Sequence, residues 1–356
     1  MKIDPNEVYL WDSDERDFQF EHYHDVAAAA LAALEFDLPS DGTVMLKPNA
    51  TVPLPPENRV VTHPAFLAGM IDTLEDKGVP RERLLVADGQ AGEAPEHGWS
   101  WELSLYKKTF EEANVRLLEM NEVESRQVPA PGGVVFDEFT IPTAVLDCSF
   151  LFNVPLAKCH NLGCTTLSIK NLMGIVDRPQ RHFCQVQDVD KPFVSELFEI
   201  TETGLTLFED RFYQKLCDIV LAFRNLGIPH LCMVDGLVGR DGTAFHVGNN
   251  HRLGWTLIGE DEVMVDTVGT YLMGLDPLET PYLRVAVERG LGVNDIGEIT
   301  VRDLRTGEEM SMDALMELRP EKPLMPLCRD SVGGYFPRYT EDGKVVPWNV
   351  FQHHES

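Results

Sequence analysis

Short apolar runs alternate with helical patterns along most of the chain, and this alternation restricts the fold more than any other feature. Turn residues bound each run, as is typical of buried strands, and strands that alternate with helices indicate an α/β fold. We expect an open, mainly parallel sheet with flanking helices, built as one sheet or as two Rossmann-like lobes. The predicted strands span 43–47, 84–88, 115–118, 144–153, 230–235 and 255–259. The predicted helices span 25–36, 64–77, 99–113, 206–226, 262–273 and 281–289.

The length of 356 residues suits two domains, or one large α/β domain with an elaborated edge. A segment rich in Pro and Gly at 129–133 indicates a loop or a boundary between two lobes. We expect a helical N-terminal extension over 1–40 and the α/β domain over 41–318. The tail over 319–356 is rich in Pro, Gly and charge, and we expect it to wrap the surface rather than to add a core.

The chain is strongly acidic, since 58 Asp and Glu residues outnumber 30 Lys and Arg residues and give a net charge of −28. Such a surface repels nucleic-acid phosphates and anionic lipids, so neither nucleic acid nor a membrane is an expected partner. An acid excess with few lysines also occurs in proteins adapted to high salt, and a lineage bias in composition is the alternative explanation. The N-terminus has no apolar leader, and the apolar run at 26–34 is too short to span a membrane, so we expect a cytoplasmic protein.

The seven cysteines include no CxxC pair. A secreted disulfide framework is therefore not expected, and reduced thiols in a cytosol fit better. The absence of a CxxC pair also argues against an iron–sulfur cluster.

Polar side chains follow several of the predicted strands, at the points where those strands end. In open parallel sheets the ligand crevice lies at the carboxyl ends of the strands. We therefore expect these residues to share one cleft with a histidine that opens the helix at 64–77. The residues are Lys47, Asn49, His63, Asp88, Lys158, His160, Lys170, His182 and Asp235.

The densest group of reactive side chains lies between 153 and 184. A histidine can serve as a general base or a metal ligand near neutral pH. A lysine can hold an anion, or act as a nucleophile where burial lowers its pKa. The structural alternative is that the lysines are ion-paired and the histidines are satisfied core groups. The group comprises Lys158, Cys159, His160, Cys164, Lys170, Asn171, His182 and Cys184.

Five residues of this group are of metal-ligand type, but their spacing matches no standard zinc site. Buried thiols commonly serve as small apolar core residues, so a histidine-ligated metal is favoured over a cysteine-ligated one. The candidate ligands are His160 and His182. The other histidine pairs, at 22 and 24 and at 353 and 354, are expected to be exposed.

The sequence predicts where two helices begin. Thr62 is the expected N-cap of the helix at 64–77, which would place His63 at its mouth beside Pro64. Asp261 is the expected N-cap of the helix at 262–273. The chain contains no GxGxxG, Walker A, GxSxG or HExxH motif, so the common nucleotide-fold and hydrolase signatures are absent from the sequence.

The segments VMLKPNA at 44–50, VVTHPAFLAGMIDTL at 60–74 and FNVPLAKCHNLGCTTLSIKNLMG at 152–174 resemble the domain of unknown function 362 family, and similar segments continue to about 295. Members of that family often carry a ferredoxin-like CxxCxxCxxxCP module, which this sequence lacks.

A more distant resemblance is to lactate racemase-type enzymes, which hold a nickel-pincer nucleotide. It implies His63 and His160 as acid/base residues, Lys170 as the residue that holds the cofactor, and His182 as a nickel ligand. It also implies a small 2-hydroxy acid as substrate, with its carboxylate held by Lys47 or Lys158.

These observations lead to two hypotheses. The first is an enzyme that uses a divalent metal or a nickel-containing nucleotide and acts on a small anionic, hydroxy-acid-like substrate, as a racemase, an epimerase or an oxidoreductase. The second is a non-catalytic protein that binds or matures a cofactor, metal or anion in the same pocket. Under either hypothesis the catalytic candidates are His63, His160 and Lys158, and the binding candidates are Lys170, Asn171, Lys47, Asn49 and Asp235.

Overall fold

The structure is a computed structural model that describes residues 1–13, 19–52, 54–90, 101–181, 183–184, 199–245, 247–329 and 334–348. Within those ranges, no helix is both long enough and apolar enough to cross a bilayer.

A ten-stranded sheet forms the centre of the fold. Eight strands are ordered β12-β1-β11-β10-β7-β2-β3-β4, and β8 pairs with β10 and β9. Along this order only β11 runs against its neighbours, so the sheet is mostly parallel. The strands are β1 (Glu7–Asp12), β2 (Thr43–Pro48), β3 (Leu84–Asp88), β4 (Arg116–Glu119), β5 (Ser125–Pro129), β6 (Glu138–Pro142), β7 (Cys148–Val154), β8 (Leu156–His160), β9 (Cys164–Thr166), β10 (His230–Arg240), β11 (Asn250–Gly259), β12 (Thr300–Asp303), β13 (Leu327–Arg329) and β14 (Tyr335–Pro337).

Helices flank the sheet, and the alternation of side chains along each strand decides which helices a strand contacts. On β2, Val44 and Leu46 belong to the core beneath α1 to α3, whereas Met45 belongs to the core beneath α7 and α9. The helices are α1 (Phe20–Ala32), α2 (Pro64–Asp76), α3 (Tyr106–Glu112), α4 (Thr143–Leu146), α5 (Ser168–Asn171), α6 (Arg178–Arg181), α7 (Leu207–Leu226), α8 (Glu262–Leu272), α9 (Pro281–Glu288) and α10 (Met312–Glu317).

The predicted α/β fold with a mainly parallel sheet is confirmed, although some element boundaries were wrong. The run at 144–153 begins with helix α4 and only then becomes strand β7, and α3 starts at Tyr106 rather than near 99. The first strand, β1, was missed, although it lies inside the sheet between β11 and β12. The cap at Asp261 is confirmed, since its side chain accepts the N–H of Met264.

Described residues of the tail pack into the hydrophobic cores of the α/β domain, so the tail does more than wrap the surface. Leu324, Cys328 and Trp348 are buried among core residues. The Arg338 guanidinium is also fully buried and forms an ion pair of 2.6 Å with Glu209 of α7. The predicted division of the chain at 40, 129–133 and 318 stays a prediction.

Strand β7 leaves its neighbour β2 at Pro155 and continues as β8. Both β7 and β8 pair in parallel with β10, but only β7 pairs with β2. Because β2 ends at Pro48, the segment that follows it lies beside β8 without a ladder, and Asn49 there donates its N–H to the carbonyl of Val154. This divergence leaves room for side chains from both segments to meet.

Candidate functional site

Lys47, at the end of β2, is a buried lysine with a complete set of partners. Its Nζ donates to Asp88 Oδ1 at 2.7 Å, to the carbonyl of Pro48 at 3.1 Å and to Asn171 Oδ1 at 3.3 Å. An ammonium has three N–H groups, so these three acceptors saturate it. Burial lowers the pKa of Lys47, and the Asp88 charge opposes that shift.

Gly174 allows this ion pair to form. A Cβ at position 174 would lie 2.2 Å from Asp88 Oδ1 and 2.6 Å from Lys47 Nζ, which is closer than atoms can approach. The second oxygen of Asp88 accepts the N–H of Ala50 at 2.7 Å. Asp88 therefore ties the end of β2 to the end of β3.

Lys158, on β8, is buried as deeply but has a different set of partners. Its Nζ donates to Asn49 Oδ1 at 2.8 Å and to the carbonyl of Val60 at 2.7 Å, and it lies 4.9 Å from the centre of the Phe245 ring. Among the described residues, no carboxylate forms an ion pair with it. Burial and the nearby charge of Lys170 lower the pKa of Lys158 well below its usual value.

Two asparagines connect the two lysines. Asn49 donates through Nδ2 to Asn171 Oδ1 at 3.4 Å, and the same oxygen accepts from Lys47. Asn171 in turn donates to the carbonyl of Lys47 at 3.2 Å and to Asn153 Oδ1 at 2.7 Å. Each lysine donates to an amide oxygen, so each amide turns its oxygen toward a lysine. The amide orientations therefore follow from the positions of the two lysines.

Lys170 and His160 lie on either side of Gly163. The Lys170 side chain packs 3.4 Å from the position of a Cβ at 163, and the N–H of Gly163 donates to His160 Nδ1 at 3.1 Å. Lys170 is only partly buried, and within the described ranges no side chain or carbonyl hydrogen-bonds its Nζ. Burial lowers the pKa of Lys170, and it also lowers that of His160, with the charges of Lys170 and Lys158 adding to the effect.

The proton position on His160 follows from its backbone contacts. Its Nδ1 accepts the N–H groups of Leu162 at 3.0 Å and Gly163 at 3.1 Å. A backbone N–H can only donate, so Nδ1 is unprotonated and the neutral ring carries its proton on Nε2. His160 therefore presents an N–H donor at Nε2.

His63 is the N-cap of α2, so the prediction that Thr62 caps this helix was wrong. His63 Nδ1 accepts the N–H of Ala65 at 3.2 Å, and the Thr62 hydroxyl instead donates to the carbonyl of Val154 at 2.7 Å. The imidazole is a better cap here because the β7 backbone already engages Thr62. Burial, with a smaller effect of the Arg59 charge, lowers the pKa of His63 to about 3.

Asp235, on β10, reaches the same region through the backbone of His63, whose N–H it accepts at 3.0 Å through Oδ2. Its Oδ1 is buried and has no hydrogen-bond partner in the described part of the chain. Burial raises the pKa of Asp235 to about 6. A buried oxygen without a donor disfavours the ionised form.

The predicted residues therefore meet in connected groups. Lys47, Asn49, Asp88, Lys158 and Asn171 form one hydrogen-bonded network. Thr62 accepts the N–H of Asn49 at 2.9 Å and so joins the segment of His63 and Asp235 to this network. His160 and Lys170 are electrostatic neighbours of Lys158.

Two buried residues of the site were missed at the sequence level. Asn153 binds Asn171 and also donates to the carbonyl of Ser168 at 2.8 Å. Asp266 of α8 accepts the N–H groups of Ser168 at 2.6 Å and Ile169 at 3.1 Å, which fixes the start of the short helix that carries Lys170. Asn153 is the last residue of the predicted strand at 144–153 and could have been selected on that ground, whereas Asp266 lies inside a predicted helix.

The metal hypothesis depends on His182, which lies outside the described residues. Within the described ranges, no group of three or more His, Cys, Asp or Glu side chains is arranged to hold a metal ion. None of the seven cysteines, all of which lie in the described ranges, forms a disulfide bond. Burial raises the pKa values of Cys159 and Cys164, which disfavours the thiolate that metal binding requires.

The strands that carry these polar residues lie in a region that matches a known protein family. The profile of the family described as domain of unknown function (DUF362) matches residues 44–271. The chain belongs to this family. The matched region contains Lys47, Lys158, Lys170 and Asp235, and it ends within α8.

The chain is 22% identical over 253 residues to a thylakoid-associated protein of Synechocystis sp., in a match that covers 70% of this chain and 68% of that protein. Among solved structures, the lactate racemase apoprotein of Thermoanaerobacterium thermosaccharolyticum is similar at a TM-score of 0.41 and 13% identity, over 75% of this chain and 57% of that one. A crystal structure of a Thermotoga maritima protein is similar at a TM-score of 0.35 and 10% identity, over 64% and 52% of the two chains. Structural likenesses at these scores do not establish a shared activity.

Proposed function

We propose that this protein is an enzyme that acts on a small anionic, hydroxy-acid-like substrate at the site formed by Lys158, His160 and Lys170. The observation that carries this proposal is a pair of neighbouring lysine amines without a counter-ion. Lys158 and Lys170 lie near each other, and neither pairs with a carboxylate among the described residues. Positive charge at either amine is costly unless an anion completes the site.

Lys170 is the better anchor for the anion. It is the more exposed of the two lysines, and its ammonium has unused N–H groups. Lys47 is not suited to this role, since Asp88, Pro48 and Asn171 already occupy its three donors. The substrate carboxylate is therefore assigned to Lys170, with Lys158 beside it.

His160 adds a donor to this site. With Nδ1 held by two backbone N–H groups, its Nε2–H can stabilise negative charge that develops on a substrate oxygen. A bound anion also offsets the positive charges that lower the pKa of His160. A reaction that moves a proton at the substrate carbon, such as racemisation or epimerisation, is the class that this arrangement suits. The acid/base roles of His63 and His160 stay predictions.

The metal part of the proposal rests on different residues. A divalent metal or a nickel-containing nucleotide would supply Lewis-acid or hydride chemistry, with Lys170 suited to hold an anionic part of the cofactor and His182 expected as a ligand. The Lys170 ammonium fits a phosphate or carboxylate, whereas the described residues offer no metal-binding cluster of three. The chemistry argued above uses only the side chains of this chain.

The second candidate, a non-catalytic anion- or cofactor-binding protein, is favoured by the histidines themselves. An efficient general base has a pKa near the working pH, whereas the pKa of His63 is about 3. A binding protein needs only the cations and donors.

Exchange of the hydrogen at C2 of the substrate distinguishes an enzyme from a non-catalytic binding protein. Protein purified from the organism that encodes it would be analysed for metals and incubated in D2O with single enantiomers of lactate and other 2-hydroxy acids. An enzyme of the proposed class incorporates deuterium at C2, as seen by proton NMR, and Lys170→Gln loses this activity while Lys322→Gln retains it. Saturable binding without exchange in the metal-replete protein would favour the binding protein, and no binding of any small carboxylate would refute both.

A further inference from the structure

Lys158 differs from an ordinary buried lysine in the number of acceptors around it. An ammonium needs three acceptors, and among the described residues Lys158 has two, both neutral: Asn49 Oδ1 and the carbonyl of Val60. A neutral amine has two N–H groups and one lone pair. The two acceptors therefore satisfy a neutral amine completely and leave its lone pair unengaged by any hydrogen bond of the described residues.

We propose that Lys158 is a nucleophilic amine that forms an imine with the carbonyl carbon of a small 2-oxo acid whose carboxylate is held by Lys170. This inference rests on the proposed anion site. It names the substrate class as 2-oxo acids, which are the oxidised forms of 2-hydroxy acids. It assigns Lys158 a covalent role.

The surroundings of Lys158 support this role. The Phe245 ring lies 4.9 Å from Nζ, and burial and the neighbouring Lys170 charge disfavour protonation of the amine, against an opposing effect of the Asp88 charge. A lysine next to a second cation in a dry site is a recurrent way to obtain a free amine at neutral pH. Asn49 is held by Thr51 and Asn171, so the amine is fixed in one position.

The step balances without an oxidant or a reductant. The lone pair of Nζ attacks the carbonyl carbon and forms a carbinolamine, with the carbonyl oxygen protonated at the expense of the amine. Loss of water from the carbinolamine, with the hydroxyl leaving as water, gives the C=N bond. The His160 Nε2–H and the Lys170 ammonium, both electrostatic neighbours of Lys158, are assigned as the proton donors to the leaving hydroxyl.

Lys47 supplies an internal control, because it is buried to the same degree. Its third N–H is engaged and its partner is a carboxylate, so it stays an ammonium with no lone pair. The imine is therefore expected at Lys158 and not at Lys47, although both lie in one hydrogen-bonded network.

Reductive trapping tests the inference on the unaltered protein. Wild-type protein would be incubated with pyruvate at neutral pH, treated with sodium cyanoborohydride, digested and mapped by mass spectrometry. The expected result is a reduced pyruvate adduct at Lys158 that forms more than about tenfold faster than at the exposed Lys322, since each unit by which a pKa is lowered gives ten times more free amine. No adduct at Lys158, or faster labelling of Lys170 or Lys47, would overturn the inference.

Lactate makes the failure of this inference distinguishable from failure of the proposed function. Lactate has the carboxylate but no carbonyl, so it should bind, compete with pyruvate and slow the trapping, without forming an adduct itself. Lactate binding without pyruvate trapping would refute the imine and leave the anion site standing. Lys170→Gln is expected to slow trapping about tenfold by weakening pyruvate binding, and trapping unchanged in this variant would refute the anchoring role of Lys170.

Discussion

Lys47 and Lys158 are both buried, with exposed fractions of 0% and 2%. Lys47 lies at the end of β2, and Lys158 lies on β8, which continues from β7. They differ in their partners. Lys47 has a carboxylate and two other acceptors, whereas Lys158 has two neutral oxygens and a positively charged neighbour. Lys47 is therefore the cation of an ion pair that joins two strands, and Lys158 is the lysine that we propose as a nucleophile.

Burial alone therefore does not determine the role of a lysine. The number and charge of the acceptors around the amine do, because they determine whether its protonated or its neutral form is more stable. Four changes test this reading.

Removal of Lys47 is expected to have the largest effect. Lys47→Met leaves the Asp88 carboxylate buried with the Ala50 N–H as its remaining direct donor, so the free energy of unfolding should fall by about 3–5 kcal/mol. Urea denaturation followed by circular dichroism measures this. The double variant Lys47→Met with Asp88→Asn should recover part of the loss, and a fall of less than about 1 kcal/mol in the single variant would show that the pair is not structural.

Asp235 extends the comparison to carboxylates, since its Oδ1 has no donor while both oxygens of Asp88 have one. Its folded pKa of about 6 lies above the ordinary value of 3.8, so the folded state binds its proton more tightly than the unfolded chain does. This contribution to stability is fully present below pH ~4 and is lost as the pH rises through ~6.

Asp235→Asn should remove that pH dependence. Relative to the wild type, the variant should gain roughly 2–3 kcal/mol in unfolding free energy between pH ~4 and pH ~7.5. Urea denaturation at both pH values measures the difference. Parallel pH profiles for the two proteins would mean that Asp235 is already ionised in the folded protein at acidic pH.

Lys158→Met should cost about 1 kcal/mol in unfolding free energy, far less than Lys47→Met. The change leaves two carbonyl-type acceptors without a donor, but it also removes a polar group that is buried without a counter-ion. Thermal and urea denaturation measure the stability, and reductive trapping with pyruvate in the same preparation should be lost. A loss equal to that of Lys47→Met would make Lys158 a structural residue and end the distinction.

Lys170→Gln should have the smallest effect on stability, within about 0.5 kcal/mol, because the side chain is partly exposed and has no partner in the described ranges. Its affinity for lactate should fall about tenfold, as expected for the loss of one charge-assisted hydrogen bond. Isothermal titration calorimetry measures this, with the exposed Lys322→Gln as the matched control. Equal affinities in the two variants would place the anion elsewhere.

The sequence was sufficient to predict the parallel sheet and the polar ends of its strands. Val44 to Leu46, Leu84 to Ala87 and Leu231 to Val234 are apolar runs with clear limits, so β2, β3 and much of β10 could be located. Strand β8 could not, because Pro155 precedes it and the buried Lys158 and His160 interrupt its apolar pattern.

The partner sets of the two lysines were beyond sequence reasoning for a different reason. Lys47 meets Asp88 and Asn171 through contacts that span 41 and 124 residues, and these depend on the pairing of β2 with β3 and β7. Periodicity predicts that a strand exists, but it does not predict its neighbour. Which lysine receives the carboxylate is therefore a property of the assembled sheet.

Those sequence separations also bear on how the molecule folds. Lys158 binds Asn49 across 109 residues, and His63 binds Asp235 across 172. Bringing together residues so far apart in the sequence costs conformational entropy that local contacts do not offset. Long-range contacts of this kind therefore generally form late in folding. A chain in which β10 has not yet paired with β7 would contain α2 and β2 but would lack the assembled lysine site. Reactivity at Lys158 would then appear only in the final step of folding, and its recovery after dilution from denaturant would measure completion of the sheet.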